Sequence, residues 1–133
     1  MDLRILEIAS NTENNKVLNN YTHHSKNKNS ICGDEMEIRL IVKNDTVVDM
    51  GYQCKSCIYC QASVSLLSQK IKNKNLKEIT KFASSCENIF ENTKILLEKN
   101  WKDFLKLFDK KNISRKECLL LPLRTVLKAI KQW

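Results

Sequence analysis

The 133-residue sequence has little glycine, a single proline and no long apolar run. Two glycines are too few for the glycine-rich loops that cradle phosphates, which excludes nucleotide-binding motifs of that kind. No stretch approaches the roughly 20 apolar residues that a membrane-spanning helix needs, so we expect no membrane association. The first ten residues carry an acid at position 2 and lack the apolar core of a secretory signal. We therefore expect a cytoplasmic protein.

Cysteine, by contrast, is well represented. The chain has six cysteines, and three of them fall within the stretch GYQCKSCIYCQAS at residues 51–63. Thiols in the cytosol are kept reduced, so an even number of cysteines is no evidence for disulfides there. Clustered thiols in a reducing compartment favour metal binding or redox and sulfur chemistry.

The chain is basic, with 23 lysines and arginines against 15 aspartates and glutamates. A net charge of +8 can favour nucleic acid or acidic proteins as partners. The lysines, however, are spread along the chain and alternate with asparagines rather than with aromatic residues. This pattern indicates a solvated Lys/Asn-rich surface more than a nucleic-acid interface.

The first half of the chain predicts a helix, a loop and two strands. LRILEIA has apolar residues at helical spacing, and residues 10–30 read as a long polar loop in which His23 and His24 are exposed. EMEIRLIVKND then alternates as a half-buried strand does. KNDT supplies a turn, and VVDMGYQC predicts a second, antiparallel strand. The apolar face of the first strand would consist of Met36, Ile38, Leu40 and Val42.

The second half predicts only helices. One follows the cysteine cluster to about Lys72, the next starts near Leu76, and SSCE suggests a third with Ser84 as its N-cap. A fourth has its apolar stripe at Trp101, Phe104, Leu105 and Phe108. The last has Leu123, Val126, Leu127 and Ile130 in its stripe, with Pro122 in its first turn. Strands followed by helices predict one α+β domain over residues 1–133, with a small antiparallel sheet of about three strands against several helices.

Four side chains are candidate metal ligands. Cys32 and Asp34 are two residues apart at the start of a strand, where residues i and i+2 point to the same side. Cys57 and Cys118 each lie at the start of a predicted helix, where the helix dipole lowers the pKa of a thiol. Three sulfurs and one oxygen suit tetrahedral zinc and, equally, iron in a sulfide-bridged cluster. Cys86 stands alone in an apolar stripe and is expected to be a buried structural thiol.

Four segments carry a family resemblance: NSICGDEMEIRLIV, CIYCQASVSLL, IKNKNLKEI and SRKECLLLPLRTVLKAI. Together they resemble the IscU/SufU/NifU N-terminal family of iron–sulfur cluster assembly proteins, over roughly residues 30–80 and 113–131. The resemblance implies a transient [2Fe–2S] cluster, or a zinc ion, held by Cys32, Asp34, Cys57 and Cys118. It also implies sulfur transfer from a cysteine desulfurase, with Cys32 or Cys118 as the persulfide acceptor, and delivery to apo iron–sulfur proteins. Such a protein is a scaffold or sulfur carrier rather than a conventional enzyme.

This sequence departs from the family pattern at three places. Glu117 stands where IscU-type members have a histidine, and we expect it to be a surface or capping residue. The longer segment between the second and third cysteines, with Arg115, places the chain closer to the SufU-like branch. Cys54 and Cys60 are not general family cysteines. Three alternatives are open for them: accessory ligands, persulfide relays, or no role in the site. Two alternatives stay open: a zinc-bound sulfur-transfer protein without scaffold activity, and a basic zinc-stabilised nucleic-acid-binding module.

Overall fold

The computed structural model describes residues 3–131, apart from the side chain of Leu97. A three-stranded antiparallel sheet is followed by a run of helices, which confirms the α+β prediction. The regular elements are α1 (Leu3–Ala9), β1 (His23–Lys28), β2 (Glu35–Lys43), β3 (Thr46–Lys55), α2 (Ile58–Lys70), α3 (Leu76–Ser85) and α4 (Lys116–Lys131). Four 3-10 segments lie between α3 and α4, at Cys86–Asn88, Lys94–Leu97, Lys99–Lys106 and Lys110–Arg115.

Strands β2 and β3 form the predicted hairpin. Asn44 and Asp45 both have positive φ, at 52° and 60°. Asparagine and aspartate tolerate that conformation, which tight turns between right-twisted strands require. The alternation of β2 buries Met36, Ile38 and Leu40 as expected.

The central strand β2 has β1 on its other side, in sheet order β1–β2–β3. The prediction of a loop throughout residues 10–30 is therefore wrong for His23–Lys28, which pair antiparallel with β2. His23, predicted to be exposed, is buried, and half-buried His24 pairs with Glu37 at 2.6 Å. The inward positions of β1 are polar, and Ser25 Oγ donates a hydrogen bond to the Thr125 carbonyl at 2.6 Å. Polar inward residues give no apolar alternation, so the strand leaves no sequence signal.

The segment between α1 and β1 crosses the outer face of the sheet. The Asn14 carbonyl accepts the Tyr52 N–H at 3.1 Å, and Arg39 donates to the Leu18 carbonyl at 3.0 Å. Gly51 lies directly beneath, where an added Cβ would stand 2.6 Å from the Lys16 carbonyl oxygen. This part of the predicted loop is therefore held on the sheet by specific contacts.

Helices α2 and α4 cover the inner face of the sheet. Helix α4 lies against β1 and β2, while α2 packs against α4, α1 and β3. Small side chains in α2, among them Ala62 and Ser63, allow neighbouring elements to pack closely against this helix. Ser63 Oγ donates a hydrogen bond to the Leu119 carbonyl of α4 at 2.7 Å. Helix α2 ends at Lys70, close to the predicted end.

The chain between α3 and α4 is helical as predicted, but mostly in the tighter 3-10 form. The predicted helix start at Ser84 is wrong, because Ser84 belongs to the last turn of α3. In the segment Lys99–Lys106, the three-residue period places Trp101 and Phe104 in the core, whereas Leu105 is 40% exposed. The Trp101 ring stacks on Phe82 with centroids 4.0 Å apart.

Helix α4 starts earlier than its apolar stripe suggests. Because it begins at Lys116, Pro122 lies in its second turn rather than its first. Proline has no N–H, so the carbonyl of Cys118 lacks its usual i+4 donor. Leu123 and Val126 are fully buried, which confirms the inner edge of the predicted stripe. No helix within residues 3–131 has both the length and the apolar character needed to cross a bilayer.

Candidate metal centre

The turn between β1 and β2 brings Cys32 and Asp34 together. Gly33 has φ +75°, a left-handed conformation that a residue with a Cβ adopts at a cost. The Asn29 N–H donates to the Asp34 carbonyl, and the Gly33 N–H donates to the Asn29 carbonyl, both at 2.8 Å. In this closed turn the Cys32 Sγ lies 3.1 Å from Asp34 Oδ2. The two side chains converge as expected, through a tight turn rather than an extended strand.

Cys57 is the N-cap residue of α2, as its position in the sequence predicted. Its backbone N–H donates to Asp34 Oδ1 at 3.1 Å, and its Sγ lies 3.7 Å from Asp34 Oδ2. The Asp34 carboxylate thus satisfies one of the free N–H groups at the start of α2 while its other oxygen faces the thiols. Asp34 is 5% exposed, so its position is fixed by these contacts.

Cys118 enters the site from the first turn of α4. Its Sγ is 3.3 Å from the Cys32 Sγ. Burial raises the pKa of the Cys118 thiol, and its hydrogen bonds with Cys32, Cys57 and Asp34 raise it further. This direction is opposite to the lowering expected for a thiol at a helix N-terminus, because desolvation disfavours the thiolate.

The resulting cluster suits a soft metal ion. The ligand atoms of Cys32, Asp34 and Cys118 all lie within 4.8 Å of one another. Cys57 is outside that mutually close group and reaches it through its 3.7 Å contact with Asp34. Zinc–sulfur bonds of about 2.3 Å in a tetrahedron separate the sulfur atoms by about 3.8 Å. This compact spacing is that of ligands around one tetrahedral ion. Thiolates of the same kind also hold the irons of a sulfide-bridged cluster, whose two irons need the ligands to be farther apart.

The two candidate accessory thiols lie near the site but outside its group of mutually close ligand atoms. Cys60 is fully buried in the hydrophobic core, and burial strongly raises the pKa of its thiol. Cys54 is half-buried on β3 beside Met36, and burial raises the pKa of its thiol as well. Neither joins the group of mutually close ligand atoms found among the described residues. Cys86 is also fully buried, as expected for a structural thiol.

The Glu117 side chain points toward Arg124. Its carboxylate pairs with Arg124 Nη1, and the same guanidinium makes two hydrogen bonds of 2.9 Å with Glu87. These two carboxylates, with Glu87 the stronger contributor, raise the pKa of Arg124. Glu117 therefore forms an ion pair at the surface, in agreement with the first of the two roles expected for it, a surface or a capping residue.

Asn29, which is not among the site residues predicted from the sequence, contacts the site directly. Its side-chain Nδ2 donates a hydrogen bond to the Cys32 Sγ at 3.0 Å. An asparagine side chain often accepts the backbone N–H two residues later, in an Asx turn. Asn29, shortly before Gly33, was the sequence signal for such a turn.

Several residues around the four candidate ligands are exposed at the surface. Ile31, next to Cys32, is 79% exposed. Lys28, Glu35 and Lys55 lie side by side across the end of the sheet. They form part of a groove of about 750 Å³ that is also lined by Lys26 and Lys128. The surface beside the thiols is thus predominantly basic, with one exposed apolar side chain.

Comparison with known proteins identifies relatives over most of the chain. The family model described as the NifU-like N terminal domain matches residues 2–101, which include Cys32, Asp34 and Cys57 but end before Cys118. The iron–sulfur cluster assembly scaffold protein IscU of Thermotoga maritima is 28% identical over 129 residues, covering 96% of this chain and 90% of its own.

Solved structures share the fold. The N-terminal part of a nitrogen-fixing NifU-like protein from Brucella abortus superimposes with a TM-score of 0.87 at 22% identity, covering 98% of this chain and 92% of its own. FiSufU, a SUF-system protein from Fervidobacterium islandicum AW-1, gives a TM-score of 0.87 at 23% identity, with coverages of 98% and 96%.

Proposed function

Because this chain belongs to the family of NifU-like N-terminal domains, we propose that it is an iron–sulfur cluster assembly protein. It accepts sulfur from a cysteine desulfurase and assembles a transient [2Fe–2S] cluster on Cys32, Asp34, Cys57 and Cys118. The observation that carries the proposal is the meeting of these residues. Four side chains from three distant segments approach one another at the ends of a sheet and two helices.

Cys32 is the sulfur acceptor in this proposal. Cys32 is exposed, whereas Cys118 is 5% exposed. The Cys32 thiolate attacks the terminal sulfur of the donor persulfide, so that a new sulfur–sulfur bond forms at Cys32 while the donor's sulfur–sulfur bond breaks. The donor cysteine leaves as a thiolate, and the transfer itself needs no oxidant or reductant. Reducing the transferred sulfur to sulfide takes two further electrons, from an external thiol or a redox partner protein.

Asp34 makes the assembled cluster transferable. A carboxylate oxygen is a harder ligand than a thiolate and holds zinc or cluster iron less firmly among soft sulfurs. Its carboxylate also has alternative partners, because it accepts hydrogen bonds from the Cys57 backbone and from the surrounding thiols. In this proposal the three cysteines hold the cluster, and a ligand of the acceptor protein binds to it by displacing the aspartate.

The same donor set fits Zn²⁺, and zinc is the second occupant that we propose. Bound zinc would keep the three thiols deprotonated and shielded until a partner displaces a ligand. The compact group formed by Cys32, Asp34 and Cys118 favours this role as well. In that case the protein transfers sulfur without building a cluster.

The proposed partners are a cysteine desulfurase and apo iron–sulfur acceptor proteins, in the cytoplasm. Exposed Ile31 gives such a partner an apolar contact next to the acceptor thiol. Lys28 and Lys55, at the edge of the basic groove, favour acidic side chains on the approaching surface.

Anaerobic reconstitution with ferrous iron, cysteine, a desulfurase and dithiothreitol tests the proposal. We expect visible absorbance with equal amounts of iron and sulfide, lost in Cys32→Ser and Cys118→Ser. Cys86→Ala is the matched control, because it removes a buried thiol far along the chain and should retain the cluster. Bound zinc with faster desulfurase turnover, and no cluster, would establish sulfur transfer alone. Salt-dependent RNA or DNA binding unaffected by Cys32→Ser, without either activity, would overturn the proposal in favour of a nucleic-acid-binding module.

A further inference from the structure

Asn29 uses its backbone and its side chain to organise the turn that carries Cys32 and Asp34. Its N–H donates to the Asp34 carbonyl and its carbonyl accepts the Gly33 N–H, both at 2.8 Å. Its side-chain oxygen accepts the Ile31 N–H at 3.0 Å, and its side-chain nitrogen donates to the Cys32 Sγ at 3.0 Å. Asn29 is 8% exposed, so water competes little for these bonds.

The orientation of the Asn29 amide follows from its partners. The Ile31 backbone N–H is a donor, so the amide atom facing it must be the oxygen. The other end of the amide, which is the NH₂ group, then faces the Cys32 sulfur. A thiolate sulfur accepts such a hydrogen bond, whereas an oxygen in that place would repel its negative charge.

We propose that Asn29 is a positioning residue of the metal centre, which holds the Cys32 sulfur toward Asp34 and Cys118 by donating an N–H to it. The inference rests on the proposed function, because it concerns how Cys32 binds a metal ion. Outer hydrogen bonds of this kind orient a ligand and tune its electron donation, and their loss typically costs about 10- to 100-fold in metal affinity. The Asn29 donor reaches the one thiol of the site that is exposed, where packing constrains the side chain least.

A purely structural role for Asn29 makes a different prediction. If the residue served only to shape the turn, its side-chain oxygen would be the part that matters, since it accepts the Ile31 N–H. Aspartate keeps that acceptor and replaces the sulfur-facing nitrogen with an oxygen. Alanine removes both groups. A positioning role therefore predicts that aspartate impairs metal binding at least as much as alanine does. A purely structural role predicts that alanine impairs it more.

Metal titration of Asn29→Asp, Asn29→Ala and the unaltered full-length protein, prepared anaerobically, tests the proposal. Zn²⁺ affinity is measured by competition with a chromophoric chelator, and Co²⁺ is used to record the sulfur-to-cobalt charge-transfer band. We expect Asn29→Asp to lose about 10-fold or more in Zn²⁺ affinity and to be at least as impaired as Asn29→Ala. We also expect its charge-transfer band to move to longer wavelength, because the sulfur no longer gives electron density to a hydrogen bond.

Asn112→Ala is the matched control. Asn112 is 4% exposed, and its side chain donates a hydrogen bond to the Leu107 carbonyl at 3.0 Å rather than to a thiol. Its loss should lower the melting temperature while leaving the Zn²⁺ affinity and the Co²⁺ spectrum unchanged. Asn29→Asp with unaltered affinity and spectrum, alongside an impaired Asn29→Ala, would overturn the positioning role. Failure of the unaltered protein to bind Zn²⁺ or Co²⁺ through sulfur would instead contradict the proposed metal centre itself.

Discussion

The Sγ atoms of Cys32 and Cys118 lie 3.3 Å apart, although 86 residues separate them along the chain. Cys32 is exposed in the turn after β1, whereas Cys118 is buried in the first turn of α4. Their contact follows from the packing of α4 across β1 and β2, which brings the start of α4 next to the turn between these two strands.

This contact predicts a specific cross-link in the metal-free protein. On treatment with diamide, Cys32 and Cys118 should form a disulfide, because their sulfurs need only a small approach to the bonding distance of about 2.05 Å. Peptide mapping by mass spectrometry under non-reducing conditions identifies the pair. Prior addition of Zn²⁺ should suppress the cross-link, and Cys86 should remain a free thiol. Another cysteine as the main partner of Cys32 would contradict the arrangement of the site.

Replacing Asp34 should make the cluster more persistent. In Asp34→Ala the weakest ligand is gone, and we expect slower loss of visible absorbance when a chelator is added to the reconstituted protein. The variant should also lose about 1 kcal/mol of stability, since Asp34 accepts the Cys57 N–H at the start of α2.

Asp109→Ala serves as the control for that change. Asp109 caps the segment Lys110–Arg115 by accepting the Lys111 N–H at 3.1 Å. Its removal should cost a similar amount of stability and leave the rate of cluster loss unchanged. Equal or faster cluster loss from Asp34→Ala would count against Asp34 as the labile ligand.

Gly51→Ala should destabilise the protein by about 1–3 kcal/mol, because its Cβ has no room. The methyl group would meet the Lys16 carbonyl oxygen at 2.6 Å and Leu18 Cγ at 2.9 Å. Urea unfolding measures the change. Val48→Ala, on the exposed side of the same strand, should have a smaller effect. A Gly51→Ala protein as stable as the original would mean that residues 16–18 do not lie on the sheet as described.

Burial of His23 should make folding sensitive to mild acid. Desolvation lowers the pKa of this imidazole below its ordinary value of about 6.5. As the pH falls from about 6.5 toward the folded-state pKa, the unfolded chain binds a proton that the folded chain does not. The free energy of unfolding should therefore fall over this range, which denaturant titrations at several pH values measure on metal-free protein.

His23→Asn is the informative variant for that effect. Asparagine does not titrate, and its side chain can replace the Nδ1 atom that contacts Thr22 Oγ1 at 2.8 Å. The variant should be less stable at neutral pH, yet its stability should decline less between pH 7 and 5. An identical decline in both proteins would show that His23 is not the residue responsible.

Local patterns predicted the elements whose apolar residues follow one period. The predicted alternation of β2 and the apolar stripe of α4 appear in the structure, because each element buries one face. The predicted turn appears because Asn44 and Asp45 tolerate positive φ. The family resemblance named Cys32, Asp34, Cys57 and Cys118 as one ligand set. The structure brings these side chains close together, and their role as ligands stays a prediction. The extent of the domain over residues 1–133 stays a prediction, and its first two and last two residues lie outside the described part of the chain.

Strand β1 and the 3-10 segments did not follow from local pattern. Residues 23–28 have no apolar alternation, and their strand form depends on the free edge of β2 and on Ser25 bonding to α4. Trp101 and Phe104 have the spacing of an α-helix as much as of a 3-10 helix. Stacking of Trp101 on Phe82 accompanies the tighter form, which leaves Leu105 outward.

The sequence by itself determined the chemistry that this protein can offer: three thiols and a carboxylate in family contexts, on a basic chain without membrane-spanning runs. Only the tertiary structure decided the environment of each group. It buried Cys118, left Cys32 exposed and aimed the amide of Asn29 at its sulfur. The physical reason is that residue type and local spacing fix which bonds a side chain can make, whereas burial and partners depend on segments that lie far apart in the chain.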